Sequence, residues 1–404
     1  MNRLQSVFVR LLVLSFILFS FSQIEVVNAQ ETVYVRADGT VEGTDKIQRD
    51  GNVYTFAGNI AGAIVLEKDG IVVDGNGYIL TGDGGNHGFY IHHINNVTIK
   101  NVRTENFDNG FYISSSVNST ITGNTVTGNS LGIHVLYSEN TLITGNDVLN
   151  NEQTGICFYR SENAIIANNK VTDNGGNGIE SGSSMMNCYL VENEILNNGL
   201  NGIKLNWAGN STINGNVIRN SSKNGIAVSE SRNNTVSKNI IEDNNLNGIY
   251  LQTYSFLNLI LLNNITSNAE YGINAGQYSA TNLIHHNNFI DNGNQATICS
   301  GETNTWGWDN GFPSGGNYWS NYNGTDNNGD GIGDTPYVLN ENNQDKYPLM
   351  SPADINTNQK FSTIPEFPLL TILPLVIIAT VVVAIYKKKL TKHHYIRSLI
   401  AEYC

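Results

Sequence analysis

A glycine followed by Ile or Phe, a variable residue and usually an aliphatic residue returns nine times along the chain. The instances are Gly88-Phe89-Tyr90-Ile91, Gly110-Phe111-Tyr112-Ile113, Gly132-Ile133-His134-Val135, Gly155-Ile156-Cys157-Phe158, Gly178-Ile179-Glu180-Ser181, Gly202-Ile203-Lys204-Leu205, Gly225-Ile226-Ala227-Val228, Gly248-Ile249-Tyr250-Leu251 and Gly272-Ile273-Asn274-Ala275. Successive glycines stand 22 to 24 residues apart. A near-constant period of this size marks a solenoid, in which each repeat buries its apolar face only against its neighbours. The 404 residues therefore hold one elongated domain of about 250 residues rather than several globular ones.

Two further apolar runs follow each glycine. One is seen in Asn118-Ser119-Thr120-Ile121 and Asn140-Thr141-Leu142-Ile143, the other in Asn124-Thr125-Val126 and Asn146-Asp147-Val148. The runs are too short for helices and are separated by Asn or Gly turns, so the expectation is an all-β parallel β-helix with three short strands per coil of 22–25 residues. Equivalent positions in successive coils should stack about 4.8 Å apart. The asparagines suit left-handed turns and neighbour-to-neighbour hydrogen bonds.

The expected division follows from where the repeat holds. Residues 1–29 have the charged start, apolar centre and small-residue end of a signal peptide. Residues 30–85 read as an N-terminal cap with the first coils, 86–298 as the repeats, 299–350 as a C-terminal cap and 351–366 as a linker. Residues 367–386 have the length and apolarity of a membrane helix, leaving 387–404 as a cytoplasmic tail after Lys387-Lys388-Lys389. The formal charge of -13 excludes a nucleic-acid partner and suits cations or glycans. Four cysteines do not make a disulfide framework.

The repeats of the form Asn-x-Ile and Gly-Ile-x-Val, with Ile71-Val72-Val73-Asp74-Gly75-Asn76-Gly77 near the start and Gly316-Asn317-Tyr318-Trp319-Ser320 and Asp330-Gly331-Ile332-Gly333-Asp334-Thr335-Pro336-Tyr337 near the end, resemble a known group. They are similar to the NosD-like branch, also called the carbohydrate-binding and sugar-hydrolase type, of the pectate-lyase-like superfamily. That resemblance implies a right-handed parallel β-helix, and by family it links the chain to copper delivery. Pro365-Glu366-Phe367-Pro368 before the apolar run is similar to an archaeal sorting signal, which implies a C-terminal anchor.

Candidate chemistry lies on rows of outward positions. Two residues after each glycine the row reads Tyr90, Tyr112, His134, Cys157, Glu180, Lys204, Ala227, Tyr250 and Asn274. Its rungs His134, Glu180 and Lys204 are candidate acid-base residues, and Cys157 beside His134 has the chemistry of a copper or zinc ligand pair. Five residues after the glycine the row reads His93, Ser115, Tyr137, Arg160, Ser183, Trp207, Glu230, Thr253 and Gln277. Of these, Tyr137, Arg160, Trp207 and Glu230 suit a glycan groove, with aromatic faces for sugar rings and charges for hydroxyls or uronates. One position further on, Ser116, Ser138, Ser161, Ser184 and Ser231 read as structural. His92-His93, His285-His286 and Met185-Met186 are copper-ligand types, but neighbours on a strand face opposite ways and should not chelate together. Asp326, Asn328, Asp330 and Asp334 carry the oxygen spacing of a calcium loop without its closing Glu. Trp306, Trp308, Tyr318, Trp319 and Tyr322 are expected to cover the last coil.

The function expected is that of a membrane-anchored cell-surface protein on the outer face of the membrane, binding polysaccharide or another envelope component. The alternatives are a polysaccharide lyase or hydrolase, a copper-binding protein of the NosD-like kind, and a structural envelope protein.

Overall fold

Three sheets of 13, 12 and 12 strands, parallel except for one antiparallel strand at the N-terminal edge of each of the first two, wind around a common core in a computed structural model that describes residues 32–355 apart from 277, 280 and 299–305. The expected signal segment (1–29), membrane helix (367–386), tail (387–404) and most of the linker lie outside the described residues. Among the described residues no helix is long and apolar enough to cross a membrane. Each coil gives one strand to each sheet, as in Asn109–Ser114, Thr120–Thr122 and Thr125–Thr127, so the expected parallel β-helix is present. Residues 33 to 81 already belong to this stack. Val33–Val35 pairs in parallel with Ile64–Leu66, which pairs with the Phe89–Ile91 stretch.

Register explains the interior. Strand pairing sets Ile133 on Ile156, Ile156 on Ile179, Ile179 on Ile203 and Ile203 on Ile226, all of them buried. Short strands of the second and third sheets point only their central residue inward, giving columns such as Ile121, Ile143, Ile166, Leu190 and Ile213, and Val126, Val148, Val171, Ile195 and Ile218. Burying one such side chain stabilises by roughly 1.5–3 kcal/mol. The repeated glycine sits where a Cβ would come within 2.4 to 2.9 Å of the next coil's glycine carbonyl, as at Gly132 and Gly155. Close approach between coils is therefore what selects glycine there.

Buried asparagines seal the corners. Between the second and third sheets, Asn124, Asn146, Asn169, Asn193, Asn216, Asn239, Asn263, Asn287 and Asn317 form one column. Asn216 shows the unit. Its Nδ2 donates to the Leu190 carbonyl in the coil before and to Asn239 Oδ1 in the coil after, while its Oδ1 accepts from the N–H and the amide of Asn193. A second column, Asn129, Asn151, Asn174 and Asn198, is interrupted at Ser221 and resumes at Asn244, Asn268 and Asn292.

The serine row is structural as expected, with one change of member. Ser116 and Ser138 N–H groups donate to the next serine's Oγ, and the row continues through Ser231, Ser255 and Ser279. Ser184 is not in it: an extra residue at Gly182 shifts that coil, and Met185 takes the buried place. At the C-terminal end Trp306, Trp308 and Trp319 are buried, and Trp319 stacks between Phe289 at 4.6 Å and Tyr337 at 4.3 Å. These rings are consumed in closing the core. Asp345 lies beneath them, accepting from the Asn317 N–H, Trp319 Nε1 and the Tyr347 N–H. Burial pushes its carboxyl up to about 7 against these donors, and Asp309 adds to the rise.

Replacing Asn216 by Leu strands the Asn193 donors and the Leu190 carbonyl in the interior. At about 1–3 kcal/mol per orphaned group, Asn216→Leu is expected to lower the unfolding free energy in urea by about 3–5 kcal/mol; a loss below about 1 kcal/mol would contradict the column's role. Asp345 gives a pH test. Its folded pKa lies above the unfolded value of about 3.9, so the folded state holds the extra proton and the group's contribution, full below about pH 4, is lost as pH rises through about 7. The destabilisation by Asp345→Ala should therefore shrink between about pH 4 and pH 7, and a cost that grows over that range would be contrary evidence.

Candidate functional site

The outer face of the first sheet carries the row read two residues after each glycine, and the pairing confirms every step of it. Tyr90 pairs with Tyr112, Tyr112 with His134, His134 with Cys157, Cys157 with Glu180, Glu180 with Lys204, Lys204 with Ala227, Ala227 with Tyr250 and Tyr250 with Asn274. The strand alternation places the row outward, and its members are half-buried except Ala227, which is buried.

The row divides into two groups. At the N-terminal end His87 stacks on Tyr112 at 4.4 Å, Tyr90 stacks on Tyr112 at 5.5 Å, and His134 meets Tyr112 edge-on at 5.7 Å. Asn109 Nδ2 contacts His87 Nδ1 at 3.0 Å and donates to Asp108. Burial holds His134 below the usual imidazole range, and the neighbouring His87 adds to the fall while Asp108 opposes it. Burial likewise lowers His87.

Further along, Glu180 is held by three donors: Lys204 Nζ at 3.0 Å, Asn177 Nδ2 at 2.8 Å and Thr154 Oγ1 at 3.2 Å. Asn177 is itself the end of a column. Asn247 donates to Asn224, Asn224 to Asn201 and Asn201 to Asn177, each through Nδ2 and each seconded by the backbone N–H. Those backbone donors fix which end of each amide is oxygen. The column therefore runs opposite to the corner columns, with every amide dipole directed at the Glu180 carboxylate. The far oxygen, on Asn247, is buried without a donor among the described residues.

This arrangement decides the chemistry expected of His134, Cys157, Glu180 and Lys204. Glu180 and Lys204 form an ion pair, and His134 stands two rungs away, about 10 Å along the axis, beyond proton-transfer reach. Burial, then the Glu180 charge, pushes the Cys157 thiol up to about 12, so without a metal it is a neutral thiol near neutrality.

Beside the sheet runs a ridge of left-handed turns, one per coil. Its members have positive φ: His93, Ser115, Tyr137, Arg160, Ser184, Trp207, Glu230, Tyr254 and Tyr278. Backbone bonds tie each member to the residue just before the next, with the Tyr137 N–H donating to the Tyr159 carbonyl, Arg160 to Ser183, Trp207 to Ser229 and Glu230 to Thr253. Tyr137, Arg160, Trp207 and Glu230 thus share one ridge as expected. Ser183 and Thr253 do not belong, because an added residue in their coils moves Ser184 and Tyr254 into place; Gln277 lies outside the described residues, and Tyr278 holds that rung. Counting from the glycine misses this, whereas counting back one residue from the buried Ser138, Ser161, Ser231, Ser255 and Ser279 finds it. The rings of Tyr137, Trp207, Tyr254 and Tyr278 are all more than half exposed, and the Arg160 guanidinium lies over Tyr137 and Tyr159.

Among the described residues the candidate metal ligands do not gather into a group of three or more His, Cys, Asp or Glu. His286, like His93, is in a left-handed turn, so the paired rings converge instead of facing opposite ways: His285 Nδ1 and His286 Nδ1 are 2.7 Å apart. His286 Nε2 is bonded to the Ser314 carbonyl, and burial lowers His285 to about 4. Both His286 nitrogens are thus engaged, and Met185 is buried in the core several coils away, so these residues do not fit copper. In the 326–334 loop Asp326 accepts the N–H groups of Gly329, Asp330 and Gly331, Asn328 bonds Asp330, and Asp334 bonds Asn327. The loop closes on its own backbone, and no cluster of three or more His, Cys, Asp or Glu with metal-holding geometry occurs among the described residues.

The family model described as periplasmic copper-binding protein (NosD) matches residues 180–324, and that described as right handed beta helix region matches residues 52–210. No curated protein matches the sequence. Among solved structures, the A-module of the mannuronan C-5 epimerase AlgE6 from Azotobacter vinelandii gives a TM-score of 0.51 at 19% identity, covering 69% of this chain and 89% of that one. The AlgE4 A-module of the same organism gives 0.49 at 16% identity over 66% and 85%, and a periplasmic alginate epimerase, AlgG, gives 0.47 at 16% over 66% and 81%. The likeness to the AlgE6 module is one of fold.

Cys157 provides a check on the site's electrostatics. Under native conditions at about pH 8 it is expected to resist iodoacetamide, whereas an ordinary thiol of pKa about 8.5 is modified. Mass spectrometry showing Cys157 alkylated as fast in the folded protein as in urea would contradict this description.

Proposed function

The chain being a right-handed parallel β-helix repeat protein of the NosD-like kind, we propose that it binds polysaccharide along the outer face of the first sheet and the ridge beside it. The observation that carries this reading is the ridge composition. Left-handed backbone costs an L-residue roughly 1–2 kcal/mol, which Asn or Gly relieves. The neighbouring turn row uses that relief, with Asn96, Asn118, Asn140, Asn163, Asn187, Asn210 and Asn233 in seven successive coils. The ridge has neither Asn nor Gly, and presents Tyr137, Arg160, Trp207 and Glu230 instead. Strained backbone of this kind gathers at ligand-binding positions.

Exposed rings in a line match the apolar faces of successive sugars, and Arg160 and Glu230 supply a donor and an acceptor for their polar edges. Polysaccharide is also what the mannuronan epimerase named above acts on, by its name. Binding is preferred here to turnover because Glu180 is tied to Lys204 and His134 stands out of its reach. Export through residues 1–29 and anchoring through residues 367–386 are part of the proposal, with the ligand an envelope or extracellular glycan.

The test is calorimetry of the purified full-length protein against a panel of neutral and acidic polysaccharides. Tyr137→Ala and Arg160→Ala are each expected to weaken binding about tenfold, or about 1.4 kcal/mol. Failure of every polysaccharide to bind, or affinities unchanged in both variants, would refute it.

A further inference from the structure

Beyond the residues that suggested a groove, the ridge holds Tyr254 and Tyr278, whose rings stack at 5.5 Å with 16° between planes. Both are in left-handed backbone, both are more than half exposed, and Leu257 is exposed in the turn beside them. Trp207 lies on the same ridge two coils before Tyr254, and Glu230 is the rung between. Two coil spacings come to about 10 Å, close to twice an ordinary ring-stacking separation of roughly 4.5–7 Å. The interval between Trp207 and Tyr254 therefore takes one ring stacked on both sides, with a carboxylate at its base.

The charge along this end of the ridge narrows the occupant. From Ser184 onward the members are Ser184, Trp207, Glu230, Tyr254 and Tyr278, with no cation, whereas the other end has Arg160. Arg232, two residues from Glu230, is beyond the buried Ser231 on a separate row, and Lys204, on the strand that leads to Trp207, is ion-paired with Glu180. A uronate ring lodged over Glu230 would meet like charge without a counter-ion. A neutral ring would offer hydroxyl donors to the same oxygens.

Resting on the polysaccharide reading above, we propose that Trp207, Glu230, Tyr254 and Tyr278 form a distinct subsite for neutral, hydroxyl-rich sugar rings. The rings stack on the indole and on the Tyr254–Tyr278 pair, and Glu230 accepts their hydroxyls. The subsite is bought at a conformational cost: each of its aromatic residues occupies a turn that Asn would fill with less strain.

That cost supplies a test which a packing role would not pass. The full-length variant carrying Trp207→Asn, Tyr254→Asn and Tyr278→Asn is compared with wild type by calorimetry using cellohexaose, mannohexaose and a mannuronate hexamer, and by thermal unfolding. Tyr137→Asn serves as the companion variant. The expected result is that at least one neutral hexamer binds wild type with little dependence on added salt, and that the triple variant weakens it by about tenfold or more while its unfolding midpoint stays equal or rises. Neutral binding that the triple variant leaves intact would overturn the subsite, as would a midpoint lowered in the manner of a core substitution. So would a change confined to self-association in sedimentation. If only the mannuronate hexamer binds and only Tyr137→Asn weakens it, the subsite fails while the polysaccharide reading stands; if no sugar binds, both fail.

Discussion

The side-chain amide that accepts from one coil and donates to the next is the interaction on which the rest of this structure depends. A parallel β-helix turns three times per coil, and each turn leaves backbone groups pointing inward with no strand partner. Buried polar groups of that kind are costly unless paired. Asn answers twice over: the residue before it takes the left-handed turn, and its amide satisfies carbonyl and N–H groups of the coils on either side. Coupled in series, such bonds polarise one another and tie three coils at each step. Where the second column meets Ser221, the short hydroxyl cannot span the gap and is left without a partner among the described residues.

The same device, reversed, connects scaffold to site. In the corner columns the amides donate toward the C-terminal coils, but in the column from Asn247 to Asn177 they donate toward the N-terminal ones and end on Glu180. An anion at one end accounts for the direction, because aligned amide dipoles lower its energy as a helix terminus does. Glu180 is thus a fixed acceptor on the outer face, held by Asn177, Thr154 and Lys204 rather than free to exchange protons.

How much of this was legible in the sequence depended on what the repeat unit measures. Period and apolar spacing were enough for the three sheets, for the aliphatic core and for the outward row from Tyr90 to Asn274, since these follow from stacking identical positions; the tryptophan cap was legible from the aromatic cluster where the repeat ends. Direction of the amide columns was not legible, because Asn177 and Asn216 look alike until backbone donors orient them. The ridge was half legible. Tyr137, Arg160, Trp207 and Glu230 were found by counting from the glycine, while Tyr254 and Tyr278 were missed because their coils gain a residue between strand and turn. His285 and His286 misled for a related reason: strand alternation does not extend into a left-handed turn, so the two rings meet.

As proposed, the ridge is a binding surface whose residues stand against their own backbone preference. The four tryptophans of the chain make the ridge open to direct observation, because Trp306, Trp308 and Trp319 are buried in the cap and Trp207 alone is exposed. The decisive measurement is acrylamide quenching of tryptophan fluorescence while a glycan that binds by calorimetry is titrated in. The quenchable fraction, which belongs to Trp207, is predicted to become protected in step with saturation. Saturation of the protein with Trp207 quenched as readily as before would contradict it.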